Sequence, residues 1–382
     1  MAARAAKLRE AGHRVYPFGV GEPDFETPLA IREAAKKAID RGASHYTAVT
    51  GTPALKKAIC AATERDRGWS PKPEQVVVSC GAKHALFNLA LALFETGDEV
   101  IIPAPYWVSY PEQVRLVGAT PVIVPTEEKD GWLLTAQALA AAMTPRTRAI
   151  ILCTPSNPTG SAYPRERVLE LGAALQKSPD ALLIVDEIYG ELVYDGFKHH
   201  SPALVLPDLR HRIIVVDGAS KTHAMTGWRI GWAIAPPEVA KALDVIQGQS
   251  TTNPAAVSQE AALAALTAPR DDFMKMHAAF QERRNRMVEG LRALPGVKCR
   301  MPDGAFYALA DVRGLYGLRA GDKELNSDED IAFWLLDTAH VAAVAGTPFG
   351  APGYIRFSYA CSKETIDEGL AQVKRAIDQA RR

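Results

Sequence analysis

Lys221 and Arg229 are the two residues whose type and spacing point most directly to chemistry in this sequence. Lys221 stands after three small residues, 218–220, which follow the apolar run at 212–217. That run predicts a buried parallel strand, so we expect Lys221 at its carboxyl end, where open α/β sheets bind ligands. A partly desolvated lysine near another cation is a nucleophilic amine that can form a Schiff base. Arg229 suits phosphate or carboxylate. Taken alone, Lys221 could equally be a solvated loop lysine.

Two further polar residues follow apolar runs that predict strands. Asp186 ends the run at 181–186, Tyr189 comes three residues later, and Asn157 lies in a turn with two prolines and a glycine after the run at 149–152. A buried aspartate can keep the ring nitrogen of pyridoxal phosphate (PLP) protonated, as that cofactor requires. Alternatively, the aspartate caps a helix and the asparagine turn is only a turn. Three polar groups at three strand ends, in the order Asn, Asp, Lys, favour a PLP site.

These motifs together resemble a known enzyme family. The order Asn157, Asp186, Tyr189, Lys221 and Arg229 resembles the fold-type-I PLP-dependent aminotransferases of class I/II, in particular their bacterial and plastid-type aspartate (or aspartate/prephenate) aminotransferase branch. The similarity covers nearly the whole chain, with matching stretches at 19–25, 81–88, 105–111, 224–231 and 354–360.

The resemblance implies where the cofactor phosphate binds. Gly81, Ala82 and Lys83 form a small-residue turn that opens a predicted helix, and backbone N–H groups at a helix start bind anions. With the Ser220 hydroxyl and Arg229, these residues are expected to form the phosphate site. Without the resemblance, such a turn would be read as a simple break between strand and helix.

Four further site residues are assigned by the resemblance. Trp107 is expected to stack on the pyridine ring, and Arg356 to bind the substrate α-carboxylate, with the Asn157 amide and the Gly21 backbone beside it. Tyr46 matches the tyrosine that reaches across a dimer interface to the partner's cofactor phosphate. The resemblance therefore implies a homodimer with two shared active sites. Taken alone, Trp107 could be a core residue and Arg356 a surface residue.

The expected reaction moves an amino group between an amino acid and a 2-oxo acid by a ping-pong mechanism. In it Lys221 holds PLP and then transfers a proton as general base and acid, Asp186 keeps the ring protonated, and Tyr189 and Asn157 hydrogen-bond the O3′ oxygen. Lys83 is the expected partner of a distal carboxylate, which makes aspartate and glutamate the expected donors. Alternatively, Lys83 serves the phosphate site or points to solvent.

Several other functions are alternatives to this one. Aminotransferases for aromatic, prephenate/arogenate or alanine-type substrates, and a PLP lyase or decarboxylase on the same fold, are compatible with the same motifs. A nicotinamide dehydrogenase would need Gly-x-Gly-x-x-Gly, but the motif that begins Gly19-Val-Gly21 lacks the third glycine and has Pro23 in the turn. A PLP-binding regulator would need a DNA-binding module, which the sequence lacks.

Composition fits a globular enzyme of two domains. The chain has 382 residues, of which 47% are apolar, and its 44 basic and 44 acidic residues cancel, so no net field favours nucleic acid or an anionic membrane. The five cysteines are scattered, without zinc or disulfide spacing, and no metal is expected. The first ten residues mix charges rather than forming a signal peptide, and no apolar stretch could span a bilayer. We expect a cytoplasmic protein.

Helical patterns alternate with short apolar runs, which is typical of βαβ units around a mainly parallel sheet. Strands of a large sheet are predicted at 75–79, 99–103, 120–124, 149–153, 181–186, 212–217 and 230–235. Helices are predicted at 31–41, 53–67, 83–95, 164–176, 237–247, 271–294, 328–340 and 363–380. Smaller strands are predicted at 304–311, 341–345 and 354–358, and a surface loop at 313–328.

The expected fold is α/β, in the form that the resemblance implies: the PLP-dependent transferase fold type I. A large PLP-binding domain with a mainly parallel seven-stranded sheet is expected at 27–270. A smaller α+β domain is expected to combine the N-terminal segment 1–26 with the C-terminal part 271–382.

Overall fold

A seven-stranded sheet forms the centre of the computed structural model, which describes residues 1–321 and 323–380. Its strands are β1 (Val76–Ser79), β2 (Glu99–Ala104), β3 (Thr120–Pro125), β4 (Thr147–Cys153), β5 (Leu182–Asp186), β6 (Ile213–Gly218) and β7 (Gly231–Ile234). They lie in the order β1-β7-β6-β5-β4-β2-β3, and neighbours are parallel except where β7 pairs with β6 and β1. The predicted α/β fold with a mainly parallel sheet is confirmed, each strand within two residues of its expected bounds.

Both faces of this sheet are covered by helices, which is why its strands read as continuous apolar runs. In β5, Leu183 and Val185 belong to one apolar core together with Leu55, while Ile184 belongs to the other together with Leu89. The helices are α1 (Ala2–Glu10), α2 (Leu29–Asp40), α3 (Pro53–Arg67), α4 (Ala82–Leu93), α5 (Ser109–Leu116), α6 (Ala136–Ala142), α7 (Arg165–Leu175), α8 (Pro202–Val205), α9 (Pro237–Ser250), α10 (Ala256–Thr267), α11 (Asp271–Arg292), α12 (Asp328–Ala339) and α13 (Lys363–Gln379). Within the described ranges, no helix is both long and apolar enough to cross a membrane.

A second, antiparallel sheet has the strand order β12-β13-β9-β8 and packs against α11, α12 and α13. The remaining strands are β8 (Lys298–Cys299), β9 (Tyr307–Asp311), β10 (Arg319–Ala320), β11 (Lys323–Glu324), β12 (Val344–Ala345) and β13 (Tyr354–Ser358). The predicted loop at 313–328 was wrong in part, because β10 and β11 form an antiparallel pair there; Asp322 lies outside the described residues. Strands of two residues are too short to leave an alternating pattern in the sequence.

The segment that follows α1 attaches the N-terminal part of the chain to the second sheet. Tyr16 forms a parallel bridge with Val341, and the Phe18 carbonyl accepts a hydrogen bond of 2.6 Å from the Ser358 N–H. Phe18 is completely buried. Residues 19–22 therefore leave this sheet from a fixed point before the chain continues toward α2.

A buried arginine links the carboxyl ends of β5 and β6. The Nε of Arg67 donates to a carboxylate oxygen of Glu187 at 3.1 Å, and its Nη2 donates to Asp217 at 2.9 Å. The Glu187 N–H donates to the Val216 carbonyl at 2.8 Å. A charge buried this deeply requires such partners, so the two strand ends are held in a fixed relation to each other.

Gly231 is the position where the β1, β7 and α4 junction is packed most closely. A Cβ atom built on Gly231 would lie 2.2 Å from the backbone nitrogen of Ala82, whereas one on Gly227 would meet nothing within 4 Å.

We expect Gly231→Ala to lower the free energy of unfolding by about 1–3 kcal/mol, because the backbone must move to admit the methyl group. Urea unfolding should show this loss. Gly227→Ala is the control and should change little; equal losses in both variants would contradict the packing argument.

Candidate active site

A cavity of about 260 Å³ opens at the carboxyl ends of β4, β5 and β6. It is lined by Gly21, Ala82, Lys83, Trp107, Tyr110, Cys153, Asn157, Asp186, Ile188, Tyr189, Ser220, Lys221, Thr226, Arg229, Tyr307 and Arg356. All the predicted site residues line this cavity except Gly81 and Tyr46. Chemically active groups from nearly the whole length of the chain therefore converge at the edge of the sheet that the sequence indicated.

Lys221 lies on the connection from β6 to β7 with its amine pointing into the cavity. Its Nζ donates a hydrogen bond of 2.6 Å to the Gly21 carbonyl. Burial lowers the pKa of Lys221 to about 8, with Arg229 acting in the same direction and Glu22 against it. Since the neutral amine is the nucleophilic form, a substantial share of this lysine is reactive near neutral pH.

Asp186 is buried at the floor of the cavity, at the end of β5. Its Oδ2 accepts a hydrogen bond of 2.7 Å from the Tyr110 hydroxyl, and its Oδ1 accepts one of 3.2 Å from the Ile188 N–H. Burial raises the pKa of Asp186 to about 6, while these hydrogen bonds oppose the rise. No basic side chain pairs with Asp186 among the residues described, so this carboxylate is ready for a cationic ligand atom.

Two tyrosines in the site, Tyr110 and Tyr307, were missed by the sequence analysis. Tyr110 supports Asp186, and the hydroxyl of Tyr307 lies 2.9 Å from that of Tyr189, where either can donate. Burial is the main reason that the pKa values of Tyr189 and Tyr307 are raised. Both phenols are therefore neutral donors at physiological pH. Tyr110 lies within the 105–111 stretch, but nothing in its spacing indicated Asp186 as its partner.

Arg356 is a buried arginine at one wall of the cavity. Its Nη1 donates to the Asn157 side-chain oxygen at 2.9 Å and its Nη2 to the Gly19 carbonyl at 2.8 Å. The guanidinium lies 4.5 Å from the ring centre of Tyr307, and Nε has no hydrogen-bond partner. No carboxylate in the described part of the chain pairs with it. A buried guanidinium without a counter-ion is costly, so this arrangement is suited to an anionic ligand.

A second anion-binding feature surrounds the start of α4. Gly81 precedes this helix with φ of 90°, and a Cβ atom there would lie 2.5 Å from the Nη2 of Arg229. Arg229 has left-handed backbone angles, and its Nη1 donates to the Thr226 carbonyl at 2.7 Å. The side chain of Arg229 thus lies directly over Gly81, while Ala82 and Ser220 line the cavity beside it. Free N–H groups at a helix start add to the positive potential.

Lys83 and Trp107 form a cation–π pair at the mouth of the cavity, with the Lys83 Nζ 4.7 Å from the ring centre. Trp107 packs edge-on against Tyr110, with the two ring centres 5.3 Å apart. Lys83 is exposed and lies within the cavity lining. Its ammonium group can therefore reach a ligand that extends beyond the tryptophan.

Tyr46 is the predicted site residue that lies away from this cavity. Its side chain is 88% exposed in the single chain. The role of Tyr46 at a partner's site stays a prediction.

Residues 14–373 match the family described as aminotransferase class I and II. The chain belongs to this family. Aspartate aminotransferase from Rhizobium meliloti strain 1021 is 43% identical over 378 residues, which cover 99% of this chain and 92% of the relative. Aspartate/prephenate aminotransferase from Cereibacter sphaeroides is 45% identical over 372 residues, which cover 97% of this chain and 93% of the relative.

Solved aminotransferase structures agree with this assignment. The aspartate aminotransferase from Rhizobium meliloti has a TM-score of 0.96 and 42% identity, and the match covers 100% of this chain and 95% of that chain. The Thermus thermophilus aspartate aminotransferase with maleate has a TM-score of 0.92 and 40% identity, and the match covers 98% of this chain and 95% of that chain. The fold and the enzyme class predicted from the sequence are confirmed: this chain is an aminotransferase.

The lowered pKa of Lys221 gives a measurable pH dependence. With a pKa of about 8, about a quarter of this amine is neutral at pH 7.5, against roughly 0.1% for an unperturbed lysine. Folding therefore releases protons from Lys221 between pH 8 and the ordinary lysine range. Trace acetylation of protein freed of bound small molecules, quantified by mass spectrometry, should show the Lys221 rate levelling off above about pH 9.

The control for this experiment is the same peptide in urea-unfolded protein. There the acetylation rate should continue to rise to about pH 10.4, the ordinary value for lysine. If the rate in the folded protein followed the same curve, the cavity would not be lowering the pKa of Lys221.

Proposed function

We propose that this aminotransferase uses PLP to move an amino group between a dicarboxylic amino acid and a 2-oxo acid. The observation that carries the proposal is the charge distribution of the cavity. Lys83, Lys221, Arg229 and Arg356 face it, against Asp186 as the one carboxylate in its described lining. The two arginines donate to neutral oxygens and pair with no carboxylate in the described ranges. Such a cavity suits ligands that carry several anionic groups.

The residues fit PLP at both of its ends. The missing Cβ of Gly81 leaves room under Arg229, and with Ala82 and the Ser220 hydroxyl these groups form a cradle for phosphate. At the opposite end Asp186 is buried with no basic partner among the described residues, and it suits a protonated ring nitrogen. When bound at Lys221, PLP supplies an electron sink that allows the Cα–H bond of an amino acid to ionise.

The chain's own residues supply substrate binding and proton transfer. Arg356 and the Asn157 amide hold the substrate α-carboxylate, beside the Gly21 backbone, and so fix the orientation of Cα. Lys221 takes the proton from Cα as general base and, as general acid, would deliver it to the C4′ carbon of PLP; a pKa of about 8 suits that transfer near neutral pH. Tyr189 and Asn157 would donate hydrogen bonds to the ring oxygen of the cofactor, and Trp107 would stack on its ring.

Lys83 is the group that we propose for recognising the distal carboxylate of aspartate or glutamate. It lines the cavity mouth over Trp107. Relatives named aspartate aminotransferase support this substrate class, as does the structure of the Thermus thermophilus enzyme with maleate, a dicarboxylate. Prephenate-type or aromatic substrates are the second candidate, because Trp107, Tyr110 and Tyr307 add aromatic surface to the cavity and several relatives are named aspartate/prephenate aminotransferase.

We further propose a homodimer in which Tyr46 binds the cofactor phosphate of the partner subunit. The exposure of Tyr46 supports this role.

The proposed division into a large domain, 27–270, and a small domain, 1–26 with 271–382, is supported by the apolar cores. Tyr16 and Phe18 pack with α11 and the second sheet, apart from the two cores that flank the seven-stranded sheet.

Dependence on an acceptor tests the proposed reaction. Aspartate incubated with the enzyme and 2-oxoglutarate should give glutamate over many turnovers, whereas aspartate alone should give at most one equivalent of oxo acid per site. A lyase or decarboxylase would turn over without the acceptor. Lys221→Ala should lower turnover by about 10²–10⁴-fold, because the positioned base is lost. Continued turnover of aspartate without acceptor would reject the proposal.

The donor range tests Lys83. Lys83→Ala should reduce kcat/KM for aspartate and glutamate by a factor equivalent to about 1.5–3 kcal/mol, the usual worth of a hydrogen bond to a charged group. The loss for alanine or phenylalanine should be much smaller. Lys177→Ala, at an exposed position that does not line the cavity, is the control. Equal losses for all donors would show that Lys83 serves the cofactor or Trp107 instead of the substrate.

A further inference from the structure

Two completely buried glutamines, Gln247 and Gln259, hold the segment that carries Tyr46; we call them the glutamine clamp. Gln259 contacts this segment twice. Its Oε1 accepts from the Thr52 N–H at 2.8 Å, and its Nε2 donates to the Thr47 hydroxyl at 2.9 Å. The same Nε2 also donates to the Pro254 carbonyl at 2.8 Å. Gln259 thus fixes both ends of the stretch that directly follows Tyr46.

Gln247 contacts the middle of the same segment and the strand that leads to the phosphate cradle. Its Nε2 donates to the Val49 carbonyl at 2.7 Å and to the Val78 carbonyl at 2.8 Å. Its Oε1 accepts from the Ser79 hydroxyl at 2.6 Å and from the Asn88 amide at 3.2 Å. Ser79 ends β1, two residues before Gly81. One amide therefore joins the Tyr46 segment to the cradle turn of its own subunit.

Backbone contacts add to this attachment. The Val78 N–H donates to the Thr50 carbonyl at 3.0 Å, and a Cβ on Gly51 would lie 2.7 Å from Val78. The segment 47–52 is thus anchored against β1 while the Tyr46 side chain remains 88% exposed. Buried amides with satisfied hydrogen bonds define geometry strictly, because a displaced partner leaves a polar group unpaired.

We propose that the glutamine clamp is a positioning device for the cofactor phosphate: it sets the direction in which Tyr46 points toward the partner's site and its distance from the cradle of its own subunit. This inference rests on the proposed homodimer and on the proposed role of Tyr46. Neither glutamine lines the cavity, and their hydrogen bonds within the described residues go to other groups than the lining, so we infer that they act through Tyr46 and the cradle turn.

The test compares binding of PLP with binding of pyridoxal, which lacks the phosphate, by equilibrium dialysis against the dimer. Tyr46→Phe should weaken PLP binding about tenfold, the lower end for loss of a hydrogen bond to a charged group. Gln259→Met should weaken PLP binding by threefold or more, estimated as roughly a partial loss of the same hydrogen bond. Neither variant should alter pyridoxal binding. In the double variant PLP binding should be no weaker than in Tyr46→Phe alone, because Gln259 acts through the tyrosine.

Gln75→Met is the matched control. The half-buried side chain of this glutamine also bonds to backbone groups: it accepts from the Lys72 N–H at 3.0 Å and donates to the Ala235 carbonyl at 3.4 Å, and neither bond involves the Tyr46 segment. It should leave the PLP to pyridoxal ratio unchanged. If Gln259→Met does not fold, Thr47→Val removes only the hydroxyl that Gln259 binds and should shift PLP binding in the same direction.

The outcomes separate the two levels of inference. No change in PLP binding for Tyr46→Phe would reject the shared-site role of Tyr46, and the clamp proposal with it. Weaker PLP binding in Tyr46→Phe, combined with wild-type binding in Gln259→Met and Thr47→Val, would overturn the clamp proposal alone. So would equal losses of PLP and pyridoxal in the Gln259 variant, or losses that multiply in the double variant, since either result indicates a general structural defect.

Discussion

The buried ion pairs of Arg67 are the interaction on which the arrangement of the active site depends. Arg67, at the end of α3, pairs with Glu187 and Asp217. Glu187 directly follows Asp186, the last residue of β5, and Asp217 precedes Gly218, the last residue of β6. Removing a guanidinium from water costs several kcal/mol, and only well-placed carboxylates offset that cost. Glu187 and Asp217 can meet Arg67 together only when β5 and β6 end at the same level. Asp186 and the Lys221 connection then face the same cavity.

The cavity separates its charges along its length. Asp186 and its tyrosine partner lie in the floor, whereas the cationic groups lie around the walls and mouth. Lys221 stands between the two regions, and its pKa is lowered to about 8 mainly by burial. An environment that held every charge close to its counter-ion would leave the lysine fully protonated. Burial of the amine, with Arg229 acting in the same direction and Glu22 only partly opposing it, therefore maintains a reactive lysine in a cavity that also suits anionic ligands.

The sequence was most informative where a polar residue follows a long apolar run. Asn157, Asp186 and Lys221 could be placed at one sheet edge for that reason, and family resemblance added Arg356 and Trp107. Tyr110 and Tyr307 could not be predicted as site residues because their partners are 76 and 118 residues away in the sequence. A phenol in a strand or helix is usually only a core residue. The strand pair β10 and β11 could not be predicted because two-residue strands are too short to show a periodic pattern. The contacts of Gln247 and Gln259 are equally nonlocal, so their positions on α9 and α10 gave no signal.

The hydrogen bond from Arg356 to the Gly19 carbonyl joins residues 337 positions apart. A chain that folds during synthesis proceeds from its N-terminus, so the seven-stranded sheet, Lys221 and Arg229 have all emerged from the ribosome before Arg356 does. A nascent chain at that stage lacks the group that is proposed to hold the substrate carboxylate. The phosphate end of the cavity is therefore synthesised before the end that is proposed to bind the substrate carboxylate. The complete site forms only when Arg356, made late, hydrogen-bonds to Gly19, made early.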